Sequence, residues 1–230
     1  MKIPMSSRLL AVCNYIHKGD RVADIGCDHG YLGIYLLTQG IASHMIESDV
    51  APQPLDSARR NARKFGVESA MTFCLSDGAK EIPRDFDVLV CAGMGADTII
   101  SILSAAPWLK DEKYRLIMQC QSKRPELRRW LNDAGWRINR ETLAQDGKII
   151  YTVMEVVFAP GQALTPAQTY ITPPLVEDNS PLLQAFFDRV KRGVRLTVEG
   201  MRRSGSDQLP IYETILSDLE ALEEQIHGNG

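Results

Sequence analysis

Acidic residues and glycines recur along this 230-residue chain in a spacing suited to a polar, positively charged ligand. The run Asp24-Ile25-Gly26-Cys27-Asp28-His29-Gly30 is followed by Asp49, by Ser76-Asp77-Gly78 and by Ala92-Gly93-Met94-Gly95. From Asp24 to Asp49 to Asp77 the steps are 25 and 28 residues, close to the length of one strand–helix repeat. Carboxylates accept hydrogen bonds from hydroxyl, amino and ammonium groups and repel phosphate. A dinucleotide site needs GxGxxG, whose middle glycine admits a pyrophosphate to the backbone; here Asp28 takes that place. Like charges about 4 Å apart cost roughly 4 kcal/mol at an effective dielectric near 20, so NAD is disfavoured. The same acids favour a cationic sulfonium compound carrying ribose hydroxyls and an adenine amino group, which is S-adenosylmethionine. Each residue alone is an ordinary turn residue; their joint order carries the reading.

Short apolar runs alternating with helical patterns must position these residues. Strands are expected at 21–25, 45–49, 71–75, 86–91 and 114–119, with helices at about 31–39, 53–65, 97–104 and 125–133. Two further strands, about 136–143 and 149–158, flank Gln145-Asp146-Gly147-Lys148, a strong hairpin signal. This pattern predicts an open, mostly parallel α/β sheet with an antiparallel hairpin at one end. Ligands of such sheets bind at the carboxyl ends of the strands, where Asp49 would accept both ribose hydroxyls and Asp77 the adenine amino group. Gly78 would approach the ring, Gly26 the methionine part, and Asp24 would hold its ammonium.

Ala159-Pro160-Gly161 and the prolines at 166, 173, 174 and 181 mark 161–180 as a linker between a domain of residues 1–160 and a C-terminal unit of residues 181–230. In that unit Leu183, Phe187, Val190, Val194, Val198 and Met201 form one stripe, and Tyr212, Ile215, Leu219, Leu222 and Ile226 a heptad seam, as in a coiled-coil-like helical hairpin. Asp207 could cap its second helix. The first arm is basic and the second acidic, which reads either as mutual attraction of the arms or as a basic face for an anionic partner.

A composition of 44% hydrophobic and 24% charged residues excludes a disordered or fibrous chain. The net charge of −3 gives nucleic-acid binding no general support, so such binding must come from local basic patches. No apolar window is long enough for a membrane helix, no export signal is visible at the N-terminus, and a cytoplasmic location with no membrane partner is expected. Five cysteines without CxxC read as buried free thiols; four histidines without ligand spacing predict no metal site.

The motifs Val22-Ala23-Asp24-Ile25-Gly26-Cys27-Asp28-His29-Gly30, Ser48-Asp49-Val50 and Ala92-Gly93-Met94-Gly95 resemble those of bacterial tRNA (adenine-N1)-methyltransferases of the TrmK type, which modify adenine 22 of tRNA. Leu127-Arg128-Arg129-Trp130-Leu131 ahead of Gly135-Trp136, and Asp146-Gly147-Lys148, extend the match. The chain departs from the family at Gln119-Cys120, usually Gln-Pro, at Gln145, usually Glu, and at Thr172-Pro173, usually Gly-Pro. The resemblance implies a Rossmann-like class I S-adenosylmethionine-dependent methyltransferase fold. The expected cofactor residues are Asp24, Gly26, Asp28, Gly30, Asp49, Asp77, Gly78, Ala92, Gly93 and Met94.

Methyltransferases acting on an exocyclic amino group commonly place Asn/Asp-Pro-Pro-Tyr/Phe after the fourth strand, where this chain has Ala92-Gly93-Met94-Gly95. Adenine N1 has an in-plane lone pair and needs alignment more than a general base. Asp28 and His29 are the candidates for touching the target adenine. A flipped adenine held by its phosphates points to Arg8, Arg63, Arg128, Arg129, Arg192 and Arg195 as tRNA contacts; no protein partner is expected. A same-fold methyltransferase acting on a small molecule or protein, and a non-enzymatic scaffold, stay open at this point.

Overall fold

The computed structural model describes residues 2–159, 161 and 163–228; Met1, Pro160, Gln162, Asn229 and Gly230 lie outside the described residues, as do the side chains of Gln225 and His227. Val88, Leu89, Val90 and Cys91 form an unbroken apolar run, and such a strand is stable only with both faces covered. All four are buried in β4 (Val88–Met94), near the middle of a seven-stranded sheet. Four parallel strands accompany it: β1 (Arg21–Ile25), β2 (His44–Asp49), β3 (Met71–Leu75) and β5 (Arg115–Cys120). The hairpin of β6 (Trp136–Asp146) and β7 (Ile149–Phe158) closes the far edge, with β7 antiparallel to β5. The order β3-β2-β1-β4-β5-β7-β6 reverses direction between β1 and β4, which makes their carboxyl ends the switch point. Ahead of that point β4 runs three residues past its expected end and bulges between Ala92 and Met94.

Period-2 alternation sorts the strand side chains between two cores. Val22, Val88, Val90 and Ile117 face α1 (Ser7–Cys13), α2 (Tyr31–Thr38) and α3 (Pro52–Phe65). Ala23, Ile25, Leu89, Cys91, Leu116 and Met118 face α4 (Ala96–Ala105) and α5 (Arg124–Asp133). Each fully buried aliphatic side chain contributes about 1.5–3 kcal/mol. All five cysteines are free, and only Cys74 is not buried.

The C-terminal unit is the expected helical hairpin, α7 (Leu183–Ser204) with α8 (Leu209–Gly228), after the short α6 (Pro173–Glu177). Val194, Val198, Ile215 and Leu219 are buried along its seam. Across its rim Lys191 pairs with Glu223, Arg195 with Glu220 at 2.9 Å and Arg202 with Glu213 at 2.8 Å. In the turn Ser206 Oγ, not Asp207, receives a backbone donor, the Gln208 N–H at 3.3 Å.

Two expectations are corrected. The stretch read as a linker is folded: Ala167, Thr169, Ile171, Thr172 and Leu175 are buried, and with Leu143 and Ile150 they join the hairpin's core to the sheet. Its prolines start helical turns rather than break structure. Pro173 opens α6, whose Thr172 cap accepts from the Leu175 N–H. Arg128, taken as a tRNA contact, is only 1% exposed. Its guanidinium pairs with buried Glu141 and donates to the Thr169 and Tyr170 carbonyls at 2.9 and 2.8 Å, while Thr172 Oγ1 donates to Glu141 at 2.6 Å. This arginine holds α5, β6 and the 167–172 segment together. Replacing it strands a buried carboxylate. Arg128→Leu is expected to lower the unfolding free energy by about 3–5 kcal/mol, with most of the loss recovered in Arg128→Leu/Glu141→Leu, as read from urea denaturation.

Candidate active site

The turn after β1 is knitted to β2: the Gly26 and Cys27 N–H groups both donate to the Ser48 carbonyl, at 2.8 and 3.0 Å. Gly26 has φ +73°, a left-handed conformation that glycine takes without strain, and a Cβ there would displace the Met94 methyl, 2.5 Å away. Asp28 adopts φ +51°, a left-handed conformation that short polar residues tolerate. It stands exposed beside His29, whose ring nitrogen is 3.6 Å from its carboxylate.

Asp49 ends β2, accepts from the Ala51 N–H at 3.0 Å, and is tied to β3 because the Ser76 N–H donates to its carbonyl. Gly78 has φ +66°, and a Cβ would meet Ile102 Cγ1 at 2.9 Å. Asp77 is exposed, with one carboxylate oxygen, Oδ2, bonded by Lys80. On the β4 side, the Gly93 N–H and Arg8 Nη1 both donate to Oε1 of buried Gln119, at 3.1 and 3.0 Å.

Two cavities sharing Gly26 result. The larger, about 420 Å³, is lined by Gly26, Asp49, Val50, Asp77, Gly78, Met94, Asp97, Thr98, Ser101 and Ile102, among others. The smaller, about 100 Å³, is lined by Asp24, Gly26, Cys27, Asp28, His29 and Ala92, with Arg8 and Tyr31. Eight of the ten expected cofactor residues therefore line these two cavities, which meet at Gly26. The other two do not line them: Gly30 makes room for Ala58 at the start of α2, and the Gly93 N–H is engaged by Gln119. Sequence reasoning missed the α4 wall, although Asp97, Thr98, Ser101 and Ile102 share one helix face just after the Gly95 N-cap. Arg8, expected as a tRNA contact, lines the smaller cavity.

The electrostatics are those of acids out of water. Asp24 is 5% exposed, and burial first, then the Asp49 charge, raise its pKa to about 7. Glu47, its in-register neighbour on β2 and fully buried, is pushed well above the usual carboxylate range by burial and by Asp24, which favours its neutral form. It fills the space left by Gly33, where a Cβ would fall 1.9 Å from Glu47 Oε1. The remaining RNA candidates are spread over the surface. Arg63 is held by Glu68 at 2.8 Å and Arg195 by Glu220, while Arg129 and Arg192 are exposed.

A cleft with carboxylates at both ends, glycines at the close approaches and one arginine suits a ligand that carries an ammonium, a carboxylate and vicinal hydroxyls. Residues 5–154 match the family model described as a methyltransferase domain. The chain is 34% identical over 149 residues to the tRNA (adenine(22)-N(1))-methyltransferase of Bacillus subtilis, an alignment covering 64% of this chain and 63% of that protein. It is 34% identical over 180 residues to a putative tRNA methyltransferase of Mycoplasma pneumoniae, covering 75% and 81%. A Streptococcus pneumoniae putative tRNA (m1A22) methyltransferase, solved with S-adenosyl-L-methionine, shares the fold with a TM-score of 0.80 at 24% identity, over 95% of this chain and 99% of that one. The chain therefore belongs to the methyltransferase-domain family, as the resemblance of its strand-end motifs implies.

Proposed function

We propose that this protein transfers a methyl group from S-adenosylmethionine to N1 of an adenine in tRNA, position 22 by the name of its Bacillus relative, and does so in the cytoplasm. The observation that carries the reading is the cleft at the switch point, with Asp24 and Arg8 at one end and Asp49 and Asp77 at the other. Bound there, S-adenosylmethionine supplies a sulfonium methyl that a nitrogen lone pair can take, the bonding electrons remaining on sulfur. The residues of this chain bind and orient. Asp49 accepts the two ribose hydroxyls, and Asp77 offers the oxygen not used by Lys80 to the adenine amino group. Val50, 71% exposed at the rim, and Ile102 supply apolar surface for the adenine ring. Asp24 and Arg8 take the ammonium and carboxylate of the amino-acid part, a charge-assisted pair of contacts stronger than neutral ones.

On the acceptor side, Asp28 and His29 stand at the open mouth of the smaller cavity, free to meet the amino edge of an incoming adenine. Neutral N1 becomes cationic on methylation with no proton to lose. Acidic walls then stabilise the developing charge, and alignment does the rest.

Three outcomes are expected. Mass spectrometry of nucleosides after incubating unmodified tRNA with enzyme and S-adenosylmethionine should show 1-methyladenosine; labelled methyl appearing only in protein or in small molecules would sink the reading. Asp24 titrates near pH 7 in the free protein, and a bound ammonium favours its ionised form, so binding in mildly acidic solution expels a proton. Affinity for S-adenosylhomocysteine should rise by about tenfold per pH unit from pH 5 to 7 and level off above, and Asp24→Asn should bind weakly and without that slope, by calorimetry. Asp28→Asn and His29→Ala should lower kcat by about tenfold or more with S-adenosylhomocysteine affinity little changed; unaltered kcat in both removes them from the acceptor site.

A further inference from the structure

Beside the methyl-transfer cleft lies a second basic hollow that the reaction as described does not use. A cavity of about 290 Å³ opens between the β5–α5 turn and α7, walled by Lys123, Arg124, Arg128 and Arg189 with the hydroxyls of Ser122 and Thr197. None of its lining residues is acidic. Lys123 is neutralised by Asp97 at 2.7 Å and Arg128 by Glu141. Arg124 and Arg189 have no acid partner among the described residues: Arg124 lies over the Phe186 ring at 5.2 Å, and Arg189 is exposed on α7. Burial and then the facing Arg128 and Arg189 hold Arg124 below the usual guanidinium pKa, the mark of like charges turned toward one another. In the same wall Arg128 Nε is buried without a hydrogen-bond partner, and no side chain caps α5 where its N-terminus opens here. Concentrated donors with no acceptor call for an anion.

Position narrows the choice of anion. The turn 121–123 borders both hollows: the Gln121 N–H donates to the Met94 carbonyl at 2.8 Å, the Ala96 N–H to the Ser122 carbonyl at 3.2 Å, and Lys123 reaches Asp97 in the wall of the cofactor cavity. Ala92 and Met94, each lining one of the two cavities, pair with Gln119 and Cys120 just ahead of this turn, so a polymer whose base enters between Asp28 and Ala92 has its backbone within reach of it. We propose that the hollow between α5 and α7 seats one backbone phosphodiester of the RNA strand adjoining the target adenosine, gripped by Arg124 and Arg189. The proposal rests on the tRNA reading above and assigns the C-terminal hairpin a specific part in it. The methyltransferase domain supplies one guanidinium and α7 the other, so the seat exists only while the two units are docked.

The test uses the full-length enzyme and a tRNA transcript. Arg189→Gln should raise KM for tRNA by about fivefold to twentyfold and reduce the slope of log affinity against log salt by about 1. Its S-adenosylhomocysteine affinity and thermal midpoint should match those of the parent, and Arg189→Lys should recover part of the loss. A tRNA carrying one uncharged methylphosphonate beside the target adenosine should cost the parent enzyme at least as much as Arg189→Gln does, and cost that variant less than it costs the parent. Additive losses from variant and methylphosphonate, or an unchanged salt slope, overturn the seat while leaving tRNA methylation standing. A parent enzyme that neither binds nor methylates tRNA overturns both.

Discussion

Two carboxyl groups taken out of water beneath one turn set the terms for the rest of this molecule. Asp24 and Glu47 sit on adjacent parallel strands in register, both buried, with Asp49 at the strand end above them. An ionised acid there is costly, so burial pushes Glu47 well above the usual carboxylate range and raises Asp24 to about 7. Because the folded-state pKa of Asp24 is raised, its contribution to stability is fully present below the unfolded carboxylate value and is lost as pH rises through about 7. A bound cation reverses that loss. The fold therefore holds charge in reserve for its ligand, and the tight turn at Gly26 and the slot at Gly33 exist to let acids and backbone crowd together.

The same economy joins the two parts of the chain. Arg128 could have been a surface cation on α5; instead it is sunk against Glu141 and two carbonyls of the 167–172 segment. That segment carries Ala167 and Ile171 into the core of the helical hairpin. The hairpin is thereby fixed in angle as well as in position, and the arginines along α7 are held at a set place relative to the carboxyl edge of the sheet. Three basic residues of α7 are paired with Glu213, Glu220 and Glu223 of α8. Attraction between the arms is thus one true account of their charge division, and it leaves Arg189 and Arg192 outside that ladder.

Strands and their order of use were legible in the sequence because their signals are local. The apolar run at 88–91, Asp-Gly at 146–147 and glycine-rich turns after successive strands each act within a few residues. The acids of the cleft were legible for the same reason: they terminate strands, and in a doubly wound sheet the strand ends converge. Arg128, Arg8 and the folded 167–177 stretch were not legible. Whether an arginine on an amphipathic helix faces water or a buried glutamate 13 residues on depends on tertiary packing that neither periodicity nor composition encodes. Arg8 meets Gln119 across 111 residues of chain. Prolines at 166 and 173 were read as breakers, whereas Pro166 caps a short helical turn and Pro173 stands in the first turn of α6, where proline is a helix starter.

Glu47 shows how far such reading falls short at a buried site, and why. In sequence it is a charged residue in a strand, and alternation alone would put it on a solvated face. In the structure both of its oxygens are sealed from water beside the Cys27 thiol, an arrangement that costs several kcal/mol for an ion and far less for a neutral acid. A helix laid over this strand needs glycine where it crosses the carboxyl, and Gly33 is there. The pairing of a buried acid with an interior helix glycine is therefore one constraint seen from two elements. A glutamate whose neutral form is favoured adds little negative charge to the cleft beside it, which leaves Asp24, Asp28, Asp49, Asp77 and Asp97 to set its field.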